Sequence, residues 1–139
     1  MSLDQTKRTM DGYFNAMGAG KDFSEFYTVD VRWIMLDSGQ EVRGPSEVRD
    51  YIVALHRKMF GHQQRELVVS DGRAYLEGEC VDQPGRTEPR YVYCLVYELD
   101  DDRIKDMRCY GSIARLMTSA KGSGTSSRMS RTSGRSSCF

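Results

Sequence analysis

Hydrophobic and polar positions alternate most regularly between residues 90 and 114, where the pattern predicts a β-hairpin of two long strands. Residues 90–99 are rich in β-branched and aromatic side chains, and residues 104–114 return after an acidic turn at 100–102. Neither strand has a wholly polar face, so both faces are expected to be at least partly covered. One side-chain row of the first strand is almost entirely apolar and aromatic: Tyr91, Tyr93, Leu95, Tyr97 and Leu99.

Helical spacing of apolar residues marks three earlier segments. Residues 3–19 form the first predicted helix, with Asp4 as its N-cap. Residues 23–27 predict a short second helix. The third helix is expected to start at Ser46, which would cap it, and to close at Gly61. Its apolar stripe is the clearest in the chain: Val48, Tyr51, Ile52, Leu55 and Met59.

Four further short segments alternate like strands: residues 31–37, 41–43, 64–70 and 74–82. Helices and a hairpin therefore come first, and four strands in a meander follow. This order predicts an α+β fold in which a strongly curved, mostly antiparallel sheet wraps around about three helices of the N-terminal half.

Composition separates a folded domain from a tail. The chain has 139 residues, with 20 basic and 20 acidic residues. Residues 121–139 contain four of the basic residues and no acid, which leaves 16 basic against 20 acidic residues, a net charge of −4, in residues 1–120. We therefore expect one domain over 1–120, a disordered Ser/Gly/Arg-rich tail over 121–139, and no nucleic-acid partner. The absence of a long apolar run and of CxxC pairs favours a cytoplasmic protein without membrane contact.

Four motifs, in this order and spacing, resemble the SnoaL-like branch of the nuclear transport factor 2-like superfamily. They are YFNAMGAGK (13–21), VDVRW (29–33), GPSEVRDY (44–51) and DRIKDMRCYG (102–111). This group includes ketosteroid isomerases and polyketide cyclases. The resemblance implies a cone-shaped barrel with an apolar pocket at its wide end, no cofactor, and a homodimer formed through the outer face of the sheet.

The catalytic residues of the ketosteroid isomerases are only partly present. Tyr13 matches the helix-one tyrosine that donates a hydrogen bond to the oxyanion. Met35 stands where the resemblance places the general base, and Cys94 stands where it places a second, protonated aspartate. Because methionine cannot accept a proton, these replacements argue against steroid Δ5-3-ketoisomerase activity.

Three residues are therefore the candidate catalytic groups: Tyr13, Asp37 and His56. Asp37 follows Met35 on the same strand face, and His56 flanks the apolar stripe of the third helix with a side chain suited to proton transfer at neutral pH. Each has a plain structural alternative: Tyr13 as a packed ring, Asp37 as a turn former before Ser-Gly, and His56 as a half-exposed helix residue. His62 is expected to be solvated in a polar loop.

The remaining expectations concern the pocket, the partner and metals. On the family pattern the pocket is lined by Trp33, Met35, Tyr51, Leu55, Cys94, Met107 and Cys109. Glu77 and Glu79 share a strand face, but the His positions and the lack of HxH or DxD spacing argue against a metal. The aromatic row of the hairpin is assigned to the dimer interface, unless that row lines the cone, in which case Tyr91 and Tyr93 become pocket residues.

Three functions remain open from the sequence. The first is a cofactor-independent enzyme, of the cyclase, isomerase, hydratase or hydrolase type, acting on an apolar polycyclic, terpenoid or polyketide-like molecule. The second is a non-catalytic carrier of such a ligand. The third is a dimerisation module whose pocket is filled by its own side chains.

Overall fold

A computed structural model describes residues 2–118 as alternating helices and strands; the predicted disordered tail at 121–139 lies outside the described residues. The elements are α1 (Leu3–Gly18), a 3₁₀ turn (Ser24–Phe26), β1 (Tyr27–Met35), β2 (Gln40–Arg43), α2 (Pro45–His56), β3 (Phe60–Ser70), β4 (Arg73–Val81), β5 (Tyr91–Asp100), β6 (Arg103–Gly111) and α3 (Arg115–Thr118). The final turn of helix, α3, was not predicted. No helix among residues 2–118 is long and apolar enough to cross a membrane.

The six strands form one sheet in the order β2-β1-β6-β5-β4-β3. All neighbouring strands run antiparallel except β1 and β6, which are parallel. The sheet is curved but not closed, because β2 and β3 remain its two edges. The predicted α+β architecture, with a curved and mostly antiparallel sheet packed against helices, is confirmed.

The helix ends differ from the sequence prediction for local reasons. α1 begins two residues earlier than an Asp4 cap would require, because the Ser2 side chain and Gln5 form a reciprocal capping box. α2 starts at Pro45 with Gly44 as its N-cap, and no side chain in the described part of the chain caps it. A positive φ of 97° makes glycine the natural residue at that position. α2 ends at His56, so Gly61 falls inside β3 instead of closing the helix.

The aromatic row of β5 faces the helices, which corrects its assignment to the dimer interface. Tyr93 and Tyr97 are buried, and Tyr97 is paired with the buried Met107 of β6. The outer face of the same strands carries ion pairs, such as those of Arg108 with Glu98 and Asp106. Burying the large aromatic side chains is favourable, whereas burying the charged side chains of the other face would cost free energy. The aromatic row therefore faces the core. The predicted homodimer stays a prediction, without this row as its interface.

Candidate functional site

A cavity lies between the inner face of the sheet and the two long helices. Its empty volume is about 430 Å³, including the part open to solvent, whereas the centre of a water molecule can move through only about 30 Å³. That smaller volume holds at most a few waters, so the cavity is narrow. The lining is mostly apolar and aromatic: Tyr13, Phe14, Met17, Trp33, Ile52, Leu55, His56, Met59, Leu76, Tyr93, Leu95, Tyr97, Cys109 and Ile113.

Tyr13, the predicted oxyanion donor, lines the cavity from α1 but has its hydroxyl in a bond with another phenol. Its side chain is buried, with the residue 1% exposed, and its Oη lies 2.8 Å from the Tyr27 Oη. It also lies 3.8 Å from the Met107 Sδ. Burial first, and the neighbouring Tyr27 second, raise the pKa of Tyr13 well above its ordinary value. The phenol therefore stays protonated and is held by a partner inside the protein.

His56 is the last residue of α2, and its imidazole forms part of the cavity wall. Burial lowers its pKa to about 4, and repulsion from His62 adds to this shift. The ring is therefore neutral at pH 7, and it is the one imidazole among the described lining residues. Of the three predicted catalytic residues, His56 and Tyr13 border the cavity.

A second polar pair joins the cavity wall to β3. The Nε2 atom of His62 lies 2.5 Å from the Tyr93 Oη, and the two rings are nearly parallel, with an interplanar angle of 3°. His62 is half-buried rather than solvated as predicted, because it lies on β3 instead of in a loop. Burial lowers its pKa to about 4. Tyr93 lines the cavity and His62 does not, so the pair adjoins the cavity through the tyrosine.

Tyr93 reaches His62 by crossing β4 at a glycine. Gly78 of β4 is directly paired with Tyr93 of β5. A Cβ atom placed on Gly78 would lie 2.4 Å from the Tyr93 Oη and 2.6 Å from its Cζ. Only a residue without a side chain leaves room for the phenol in this position.

The predicted pocket residues divide into a lining group and a supporting group. Trp33, Leu55 and Cys109 line the cavity, and burial raises the pKa of the Cys109 thiol to about 12. The other group packs outside the lining: Met35, Tyr51 and Met107. The Tyr51 hydroxyl donates a hydrogen bond to the Met35 sulfur, the Tyr51 ring lies 5.5 Å from that of Trp33, and Met107 contacts Tyr13.

Trp33 carries a buried indole N–H beside this wall. The Nε1 atom has no acceptor in good hydrogen-bond geometry among residues 2–118. Its interaction is with Tyr51, which packs outside the lining: burial raises the Tyr51 pKa, and interaction with the Trp33 N–H partly opposes that rise.

Two predicted site residues lie outside the cavity. Asp37 is exposed in the turn after β1 and does not line the cavity, in keeping with its turn-forming alternative. Cys94 belongs to the outer row of β5, because side chains alternate along a strand and its neighbours Tyr93 and Leu95 both line the cavity. The pocket assignment of Cys94 is therefore wrong.

The paired carboxylates of β4 do not form an acid–base site. Glu79 is buried and forms ion pairs with Arg65 and Arg90, which together lower its pKa, whereas Glu77 is exposed. Arg108 pairs with acids of β5 and β6 instead of with Glu77. Within the described part of the chain, no three His, Cys, Asp or Glu side chains come together as a metal site.

The sequence prediction missed the His62–Tyr93 pair for a definable reason. His62 follows a glycine and precedes polar residues, which resembles a loop, and strand β3 begins earlier than expected. A usable signal was Gly78 in the middle of a strand, since an isolated strand glycine often marks a close approach by another group.

Comparison with solved structures shows the same fold. An NTF-2 like protein of unknown function from Burkholderia xenovorans superposes with a TM-score of 0.64 at 15% identity, covering 81% of this chain and 86% of that one. A proposed ketosteroid isomerase from Kribbella flavida gives 0.64 at 14% identity, covering 78% of each chain. A proposed SnoaL-like polyketide cyclase from Jannaschia gives 0.62 at 16% identity, covering 84% of this chain and 91% of that one.

No curated protein matches the chain. The model of the SnoaL-like domain, by contrast, matches residues 10–107, which extend from the middle of α1 into β6 and include most of the cavity lining. Proteins of this fold include isomerases and cyclases. The protein belongs to the SnoaL-like domain family.

Proposed function

We propose that the protein is a cofactor-independent enzyme that transfers protons on an apolar small molecule held in the cavity. The reaction class is isomerisation, cyclisation, hydration or hydrolysis. The observation that carries the proposal is the neutral imidazole of His56 in a mostly apolar wall. Similarity to a proposed ketosteroid isomerase and a proposed polyketide cyclase supports it.

His56 suits the role of general base because its basic form is present over the whole neutral range. With a pKa of about 4, the ring stays unprotonated above about pH 5. The same low pKa makes it a modest base, since a proton bound in this wall is held weakly. It is therefore suited to removing a proton from an activated carbon, such as the carbon next to a carbonyl group, and returning it nearby.

The narrow cavity limits the ligand. A rigid polycyclic molecule needs more room than this narrow cavity offers. Lining side chains must therefore move to admit one. Met17 and Met59 are the flexible members of the lining and are the natural candidates for this adjustment. Small ketones with one or two rings are the first compounds to test.

The test is exchange of hydrogen for deuterium next to the carbonyl of acetophenone, tetralone and methylcyclohexenone, followed by NMR in heavy water. We expect the protein to accelerate exchange on at least one ketone and His56→Gln to lower that rate about 10²-fold, a usual loss for a general base. Arg57→Gln is the matched control, because Arg57 is the exposed neighbour of His56. Equal rates in the wild type and His56→Gln would contradict the assignment.

A non-catalytic binding module is the second candidate. The specific observation in its favour is that no carboxylate from residues 2–118 lines the cavity and the Tyr13 hydroxyl is already bonded to Tyr27. Binding of the ketones without any exchange would favour this function over the enzyme. The homodimer implied by the family resemblance is a separate proposal, and sedimentation at micromolar concentration tests it.

A further inference from the structure

We propose that the Tyr93 hydroxyl, held by His62 across Gly78, is the polar anchor that orients the ligand in the cavity, and that the ligand presents a carbonyl oxygen to it. This inference deepens the proposed function, on which it rests for the presence of a ligand. It assigns Tyr93 as the residue that touches the ligand and His62 as a positioning residue.

Three adjacent strands build this anchor. Tyr93 starts on β5, its ring lies over the backbone of Gly78 on β4, and its Oη meets the His62 Nε2 on β3 at 2.5 Å. The nearly parallel rings and the missing Cβ fix the phenol in one orientation. A hydroxyl held in place in this way loses little side-chain entropy when a ligand binds.

The hydrogen-bond capacity of the phenol allows this role. A tyrosine hydroxyl donates one hydrogen bond and accepts up to two, so the bond to His62 does not exhaust it. When the His62 Nε2 carries the hydrogen, the imidazole donates to the Tyr93 Oη, and the phenol directs its own O–H to another acceptor. The His62 tautomer therefore decides whether Tyr93 offers a donor to the cavity.

The carbonyl class follows from the donor that this anchor offers. A phenol that accepts a hydrogen bond from the His62 Nε2–H has its own hydrogen to donate, so its complement in the cavity is a ligand that brings an acceptor oxygen. A carbonyl oxygen accepts hydrogen bonds and donates none, so it suits this wall better than an amine.

The test compares ethylcyclohexanone with ethylcyclohexane, two molecules with the same apolar body. Trp33 is the single tryptophan of the chain and lines the cavity, so its fluorescence reports binding of either molecule. We expect Tyr93→Phe to lower the ratio of ketone to hydrocarbon affinity about three- to tenfold, the usual value of one hydrogen bond. Hydrocarbon affinity itself should be nearly unchanged.

Two further positions separate positioning from general damage. Gly78→Ala keeps the Tyr93 hydroxyl but places a Cβ against it. This variant should lower the ratio of ketone to hydrocarbon affinity as Tyr93→Phe does. His62→Leu should also lower the ratio, whereas His62→Gln, which keeps an N–H and an acceptor, should restore most of it. Tyr91→Phe is the matched control, since Tyr91 is on the same strand and bonds Asp82 outside the cavity.

The outcomes distinguish this inference from the proposed function. An unchanged ratio in a folded Tyr93→Phe variant overturns the anchor, and so does a ratio that falls only in Tyr13→Phe. Failure of the wild type to bind either molecule overturns both proposals. A ratio that depends on Tyr93, together with no deuterium exchange on any ketone, supports the anchor and contradicts the enzyme.

Discussion

Two hydroxyl pairs border the same cavity and differ in what surrounds them. At the α1 end, Tyr13 and Tyr27 are both buried and bond each other at 2.8 Å. At the β3 end, Tyr93 bonds His62, which is only half-buried and has two tautomers. A phenol bonded to a phenol completes a packed core, whereas a phenol bonded to an imidazole has a partner that can exchange donor and acceptor roles.

This difference shows that the expected residue type in the expected position is not sufficient to identify a ligand-binding hydroxyl. Tyr13 has the position that the family resemblance implies, yet its hydroxyl contributes to the packing of the aromatic cluster around it. That cluster places the Tyr13 ring within 6.2 Å of five others, measured between centroids: Phe14, Phe23, Phe26, Tyr27 and Tyr97. The experiments below ask whether the two ends are as different as their contacts indicate.

The largest expected effect is a pH dependence of stability to which His56 and His62 contribute and the tyrosine pair does not. Both histidines have folded-state pKa values of about 4, below the ordinary 6.5. Between pH 6.5 and 4 the unfolded chain therefore binds protons that the folded chain does not, so the free energy of unfolding falls as the pH falls through this window. The pKa shift of His56 corresponds to a loss on the order of 3 kcal/mol, and the more exposed His62 adds less.

Denaturant unfolding at a series of pH values measures this effect. His56→Gln should flatten the slope between pH 6.5 and 4.5, because glutamine does not titrate. The tyrosine end should contribute nothing there, since burial raises the pKa of Tyr13 and of Tyr27. An equally steep slope in His56→Gln would show that other groups cause the pH dependence.

The next largest effect is the stability of the tyrosine pair. Tyr13→Phe leaves the buried Tyr27 hydroxyl without this partner and should cost about 1–3 kcal/mol. The double variant Tyr13→Phe/Tyr27→Phe should cost less than the sum of the two single variants, because it removes both hydroxyls together. Thermal unfolding of the four proteins measures the coupling, and additive losses would mean that the bond contributes little.

The smallest expected effect concerns the sulfur beside the tyrosine pair. Met107→Leu removes the Sδ that lies 3.8 Å from the Tyr13 Oη but nearly conserves volume. We expect a loss of less than about 1.5 kcal/mol in unfolding free energy and no change in the ketone-to-hydrocarbon ratio. A large change in that ratio would mean that the tyrosine end also orients the ligand, and the contrast between the two ends would fail.

The sequence predicted the architecture well because periodicity is a local signal. The stripe of α2 and the alternation of β5 and β6 both appear in the structure, with most boundaries shifted by a few residues. Which face of the hairpin points to the core was harder to predict. Neither side-chain row is wholly polar, so either row could have been the covered one. The outer row is satisfied by partners on β1 and β5, such as Arg32 with Asp106, which cannot be read from one strand alone.

The site residues that could be predicted from the sequence were those that depend on local spacing, and those that depend on long-range pairing could not. Helix spacing was enough to place Tyr13, Leu55 and His56 at the cavity. The error at Cys94 came from a one-residue uncertainty, and in a strand one residue reverses the face. The Tyr93–His62 pair depends on three strands in register, and sequence reasoning had no means of aligning them.

The parallel pairing of β1 with β6 has a consequence for how the protein is made. Tyr27 is aligned with Ile104 and Trp33 with Met107, so β1, the first strand in the sequence, pairs with β6, the last. On the ribosome, β1, β2 and α2 emerge early, but the backbone edge of β1 that pairs with β6 has no partner until β6 has been synthesised. Until β6 has been synthesised, a nascent chain therefore carries one unpaired strand edge, and the cavity lacks the part of its wall that Cys109 provides.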